Sequence, residues 1–302
     1  MRGAIVSGAE CLPQQAPDAV YDSVAALLEA LDGPARVAAN KRSQERCGTT
    51  NQPGGNLEWH GLSRDARRSE TPTGAVRRLL VEGWPRGVEL MEAVRSGVEV
   101  PDPISVRRRG VWDAEGAEVD MQRVYAGALD TAWRRTKRLA GRGPQRVRLL
   151  VDSIASGGAN ADSMRWRGVA ALVAADALTA AGYSVQVEST FRGGSEGIFY
   201  TPRCIVKPYQ SPLDLSTLAA TTALPAFFRA LWHNWHYIAA PEHIGSCGYA
   251  VSIVQLSDCK DQSDSAPMFL SGQSIDSAEA AQRWVAETIG AINALVTGEA
   301  AA

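Results

Sequence analysis

Residues 149–168 read LLVDSIASGGANADSMRWRG, and this stretch decides the fold. The apolar run RVRLLVDSI starts at Arg146 and meets a loop of small residues after Asp152. A strand that is apolar on both faces is buried on both faces, as in a parallel sheet covered by helices. The loop then opens into ADSMRWRGVAALVAADALTAAG, a long helix with Asp162 as N-cap and Gly182 at its stop.

The pattern continues downstream. YSVQVEST (183–190), RCIVKPY (203–209) and YAVSIVQL (249–256) predict strands, while DLSTLAAT and LPAFFRALWHNWHYIA predict helices. A last helix, SAEAAQRWVAETIGAINALVTG, carries Ala280, Trp284, Ile289, Ile292 and Val296 along one side. Such alternation predicts an α/β domain over 146–302: a mostly parallel sheet sandwiched by helices.

Upstream, DAVYDSVAALLEAL (18–31) predicts a helix, and 40–56 is a polar, turn-rich loop. Two short helices over 72–97 are split by Gly83-Trp84-Pro85. ISVRRRGVWD predicts a strand. VDMQRVYAGALDTAWRRTKRLAG (119–141) predicts a helix, because Tyr125, Leu129 and Trp133 recur four apart. Residues 1–145 therefore read as a mainly helical N-terminal region.

Charge is segregated along the chain. Residues 1–63, 64–148 and 149–302 carry net charges of −2, +6 and −6. A basic middle beside an acidic C-terminal half predicts that the two face each other or that the middle faces an acidic partner. Five widely spaced cysteines without a CxxC predict reduced thiols in a cytoplasmic setting. No run approaches the ~20 apolar residues of a membrane helix, and no secretory signal is expected.

In open α/β sheets ligands sit beyond the carboxyl ends of the strands. Asp152, Ser153, Ser156, Asn160, Arg165 and Arg167 fall at that edge, as does Asp258 after the strand at 249–256. The loop matches neither GxxxxGK[ST] nor GxGxxG. Asp152, Ser156 and Asp258 are the residues that would hold a cation or perform acid–base work. His233 and His236 share a helix face and would form a zinc set with His243 or Cys247. HEXXH is absent, however, and the aromatic residues around the histidines suit packing better. The basic stretches at 107–109 and 133–138 would contact phosphates in a nucleic-acid-binding protein, yet no nucleic-acid fold signature accompanies them.

The C-terminal half resembles a von Willebrand factor A-like domain, whose first strand ends in a DxSxS metal motif. The corresponding residues here are Asp152, Ile154 and Ser156. Isoleucine supplies no oxygen, so the resemblance implies a degenerate site holding no metal tightly. VRRLLVEGWPRGVELM, VDMQRVYAGALDTAWRR and the strand–loop–helix element beginning at 149 also resemble uncharacterised proteins of tailed bacteriophages and prophages. That family brings no activity with it; taken with the absence of any catalytic signature, the resemblance leads to the expectation of a non-catalytic interaction or assembly protein in the bacterial host cell, with a protein partner, no cofactor and the strand edge as contact surface. Two alternatives stand beside it: a metal-dependent hydrolase or phosphotransferase using Asp152 and Asp258, with Mg²⁺ as the ion, and a nucleic-acid-binding protein using the basic middle.

Overall fold

The computed structural model describes residues 19–32, 55–67, 69–98, 108–116, 118–138, 145–154, 159–195, 198–239, 266–272 and 274–297. The N-terminal part gives β1 (Val20–Tyr21), α1 (Val24–Asp32), α2 (Pro72–Glu82), α3 (Pro85–Arg95), β2 (Arg108–Asp113), β3 (Glu118–Val119), α4 (Met121–Tyr125) and β4 (Trp133–Arg138). The C-terminal part gives β5 (Arg146–Asp152), α5 (Ala161–Ala180), β6 (Ser184–Thr190), β7 (Gly193–Ser195), β8 (Ile198–Tyr200), β9 (Arg203–Lys207), α6 (Leu215–Thr222), α7 (His233–Ala239), β10 (Met268–Ser271) and α8 (Ala278–Thr297). A π-helical turn, Phe227–Trp232, leads into α7.

Five strands form one sheet in the order β1-β9-β6-β5-β10. Three of the four pairings are parallel, and β6 with β9 is antiparallel. The strands expected near 147–154, 183–190 and 203–208 thus share a mostly parallel sheet. The strand expected at 249–256 lies outside the described residues, and β10 was not foreseen. Every residue of β5 after Arg146 is buried, and likewise every residue of β6 after Ser184. Both strands therefore exclude water on both faces: β5 as its apolar run requires, and β6 although it carries Gln186, Glu188, Ser189 and Thr190.

Helix α5 lies against β5 and β6 and is covered in turn by α8, α6 and α3. Fourteen of its residues are buried, which explains its alanine-rich composition. It approaches α6 tightly at Gly168, where a Cβ would stand 2.2 Å from the Thr222 carbonyl oxygen. On α8, Ile292 is buried; Trp284 is half-buried, and its indole N–H donates to the Leu270 carbonyl at 3.1 Å.

Two sequence expectations are corrected here. Over the described residues 119–138 of the helix expected at 119–141, the chain instead forms β3, the single turn of α4, a 3-10 turn at Leu129–Thr131 and β4. Asp120 caps α4 by accepting from the Gln122 N–H at 2.9 Å, and Gly127, at φ 78°, ends it. The stripe that suggested a helix is not buried as one: Tyr125 and Leu129 are exposed. The second correction is that the N-terminal region is not simply helical. Strands β2, β4 and β3 form an antiparallel sheet of their own, and β1 joins the main sheet beside β9. The core also crosses residue 145, since Leu27, Val76, Trp84 and Met91 belong to the same buried cluster as Val151, Leu178 and Ile292.

Among the described residues, two ion pairs join the basic middle to the acidic half. Arg95 pairs with Asp176 at 3.1 Å, and Arg148 pairs with Glu188 at 2.7 Å. The second pair is buried and extends to Arg203, 3.5 Å from the other Glu188 oxygen; Gln186 also donates to Glu188 at 2.8 Å.

Candidate functional site

Strands β5, β6 and β10 run the same way, so Asp152, Thr190 and Ser271 end on one edge of the sheet. Asp152 is fully buried, and its Oδ1 accepts from the Ile154 N–H at 3.1 Å. This is an Asx-type turn that bends the chain out of the strand. Ile154 is itself fully buried. Ser153 Oγ lies 2.7 Å from Ser189 Oγ, and the Trp232 indole donates to Ser189 at 3.0 Å. Asn160 is the N-cap of α5, accepting from the Asp162 N–H at 3.0 Å. Asp162, the residue expected to cap, stands two positions into the helix. Ser156 and Asp258 lie outside the described residues.

Three arginines surround this edge, all buried. Arg167 Nη1 donates to the Asp152 carbonyl at 3.0 Å and also to the Ile154 carbonyl. Arg165 Nη2 donates to the Gly61 carbonyl at 3.2 Å, and its Nη1 reaches Asp162. Arg229, from the π-helical turn, donates to the Ala159 carbonyl at 2.7 Å and to the Trp59 carbonyl, with its guanidinium 4.3 Å over the Trp59 ring. Burial lowers the pKa of each: Arg229 is pushed down to about 10, with Arg167 adding repulsion, while the Asp152 and Asp276 carboxylates oppose the shift at Arg167. Sequence reading found Arg165 and Arg167 but not Arg229, which sits 62 residues beyond Arg167 and has no local signal.

A cavity of about 10 Å³ adjoins Ser153, Met164, Thr222, Leu224 and Phe228. That is room for roughly one water.

The histidines occupy a different place. His236 is buried with its Nδ1 bonded to the Tyr200 hydroxyl, inside a cluster of Phe191, Tyr200, Trp232 and Trp235. His233 stacks on His236 at 6.5 Å, and burial pushes its pKa down to about 4. Among the described residues no three of His, Cys, Asp and Glu come together as a metal site; His243 and Cys247 lie outside them.

The antiparallel sheet of β2, β4 and β3 carries a second group of candidates. Among the described residues, eight large hydrophobic side chains are exposed, and five of them are here: Trp112, Val119, Met121, Tyr125 and Leu129. Of the basic residues, Arg134 stands 3.6 Å from Glu118; Arg123 is 3.4 Å from Asp120 and 4.3 Å over the Trp112 ring. These described arginines meet acids of their own module. No helix among the described residues is long and apolar enough to cross a membrane.

Fold and site together define a mixed α/β protein with a polar, arginine-lined strand edge and a small antiparallel sheet that, with α4 and the 3-10 turn, bears exposed apolar side chains. The chain belongs to the family described as Domain of unknown function (DUF7192), whose model matches residues 14–293. That match runs through both the N-terminal helices and the C-terminal sheet. No curated protein and no solved structure matches the chain.

Proposed function

We propose that this protein is a non-catalytic interaction or assembly protein, of the tailed-phage kind implied by the sequence resemblance, and that it makes contact through the module of β2, β3, α4 and β4. The observation that carries the reading is the exposed set Trp112, Val119, Met121, Tyr125 and Leu129, confined to one short segment. Exposed apolar side chains clustered in one segment are the kind of surface that another molecule covers when they adjoin. The same segment carries the ion pairs Arg123–Asp120 and Arg134–Glu118, and interfaces combine apolar and charged groups in this way.

The strand edge supports the same reading from the opposite side. Among the described residues, its polar groups are engaged in holding the fold: Asp152 caps a turn, Ser153 meets Ser189, and Arg167 grips main-chain carbonyls. A general base or metal ligand needs an approachable oxygen, and the Asp152 side chain is fully buried. We therefore place the contact surface on the antiparallel module rather than on the edge. The von Willebrand factor A-like reading, with its metal site degenerate, fits Asp152 and a buried Ile154 at the start of the loop.

The test is a photo-crosslinking residue placed at Tyr125, with one at Val81, an exposed site on α2, as control. Expression in the host should give an adduct with another protein at Tyr125 and none at Val81. The Tyr125 adduct should vanish on Leu129→Asp with the thermal melt unchanged. No adduct at Tyr125, or the same adducts at both sites, would overturn the reading.

A further inference from the structure

We propose that the lateral edge of the main sheet, the outer side of β10, pairs with β10 of a second copy of this chain, antiparallel about a two-fold axis centred on Phe269. This goes beyond the interaction reading and does not use the module of β2, β3, α4 and β4.

β10 ends the order β1-β9-β6-β5-β10, so among the described residues it has a strand on one side only. Its parallel register with β5 sets which groups face outward. Met268 stands opposite Arg148 and Leu270 opposite Leu150, and the Arg148 N–H donates to the Pro267 carbonyl at 2.9 Å. In such a ladder the residues on either side of Met268 bond to β5, while the N–H and C=O of Met268 and Leu270 point away from it. One contact agrees with that direction: the Trp284 indole N–H, from α8, reaches the Leu270 carbonyl at 3.1 Å. That oxygen keeps a second lone pair. Among the described residues no other group meets the outward N–H and C=O of Met268 or the N–H of Leu270. Pro267 does not block this side, because its carbonyl, and with it its missing N–H, faces β5.

An open edge is a template for another strand, and charged side chains are the usual guard against one. Met268, Phe269 and Leu270 carry no charge, and all three are half-buried. The opposite edge of the sheet, β1, offers only two residues.

The apolar character of the edge selects the occupant. Met268 and Leu270 pack on Leu150 in a small cluster apart from the main core, while Phe269 packs against the main core. A charged strand laid here would bring unpaired charge beside Leu150. A strand that is apolar on both faces extends both clusters, and β10 is such a strand.

Symmetry then fixes the register. Identical antiparallel strands in one sheet are related by a two-fold axis perpendicular to it, and the contact is the same patch on both copies. Outward groups belong to Met268 and Leu270, so these residues must oppose one another. Centring on Phe269 sets Met268 against Leu270 of the second copy and Leu270 against its Met268, each pair exchanging both N–H···O bonds. Centring on Met268 would call on Ala266, and centring on Leu270 on Gly272, both outside the strand. Phe269 then meets Phe269 of the second copy at the closer, non-hydrogen-bonded position, as an aromatic cross-strand pair. The side of α8 that carries Trp284 faces this edge. Ala291 and Leu295 lie two and three turns further along the same line of the helix, and Leu295 is 53% exposed. The second copy lies along that side.

A four-residue strand gives a small interface, so the dimer should form reversibly with concentration. Sedimentation of the full chain should show it. Met268→Pro removes an N–H that the single chain does not use and should leave the protein monomeric. Met268→Lys places a charge against Leu270 of the second copy and should do the same. Circular dichroism checks that each variant is folded, and Met268→Lys decides if the proline variant is not. Phe269→Cys should cross-link to itself under mild oxidation while the wild type does not, since opposed residues at that position come within disulfide reach.

A wild type that stays monomeric at all concentrations overturns the proposal. So do a dimer indifferent to a folded Met268 variant and a folded Phe269→Cys that does not cross-link. The wider interaction reading fails separately: it is lost with the adduct at Tyr125, whatever the state of this edge.

Discussion

Arg167 donates from Nη1 to the main-chain carbonyl of Asp152, 3.0 Å away, so a side chain on the helix after the loop holds the strand end before it. The same nitrogen reaches the Ile154 carbonyl. A helix start ordinarily favours anions. Here a cation in the second turn is used, because the groups it meets are strand-end carbonyls. Arg167→Met should leave those carbonyls without their donor and lower stability by about 2–3 kcal/mol, read by urea unfolding. A change under about 0.5 kcal/mol would mean that the loop holds itself.

Glu188 is shared by Arg148 and Arg203 in the middle of the sheet. Removing the acid leaves two buried guanidiniums without their carboxylate. Glu188→Ala should therefore cost about 3–5 kcal/mol. Replacing all three residues together by apolar ones should cost far less, since the unpaired charges go with the acid. Equilibrium unfolding of both variants checks the contrast.

Two helical glycines should respond in opposite directions to alanine. At Gly168 a Cβ would lie 2.2 Å from the Thr222 carbonyl oxygen; at Gly290 it would meet nothing within 4 Å. Gly168→Ala should force α5 and α6 apart and destabilise by about 1–3 kcal/mol. Gly290→Ala should stabilise by about 0.4–1 kcal/mol. The pair of melting temperatures is the measurement.

His233 is held neutral by burial, with its pKa lowered to about 4 from 6.5. The unfolded chain therefore binds the proton more readily. His233's contribution to stability is complete above about pH 6.5 and is lost as the pH falls through 4. Melting temperatures between pH 7 and pH 4 should drop less steeply for His233→Asn than for the wild type. Parallel curves would show that His233 does not titrate in this window.

Divalent cations should bind weakly. Asp152 Oδ1 is committed to the Ile154 N–H, and the isoleucine brings no ligand. Calorimetry with Mg²⁺ and Mn²⁺ should show no micromolar site. Micromolar binding abolished by Asp152→Asn would restore the hydrolase or phosphotransferase alternative.

What the sequence determined by itself was local. The two-faced apolar run of β5, the long helix after it and the turn beginning at Asp152 were legible because burial and capping act on neighbouring residues. The Phe227–Trp235 aromatics were legible as core for the same reason. The tertiary structure alone decided which strands neighbour one another, and in which direction. β9 runs against β6, and β1, more than 180 residues earlier, lies beside β9. It also decided that Tyr125, Leu129 and Trp133 do not form a helix stripe. Four-residue spacing supplies a face only if something buries it, and there Gly127 turns the chain so that β4 pairs with β2. The arginines at the strand edge were readable as cations but not as clamps, because their acceptors are main-chain carbonyls, which every residue carries and no sequence pattern marks.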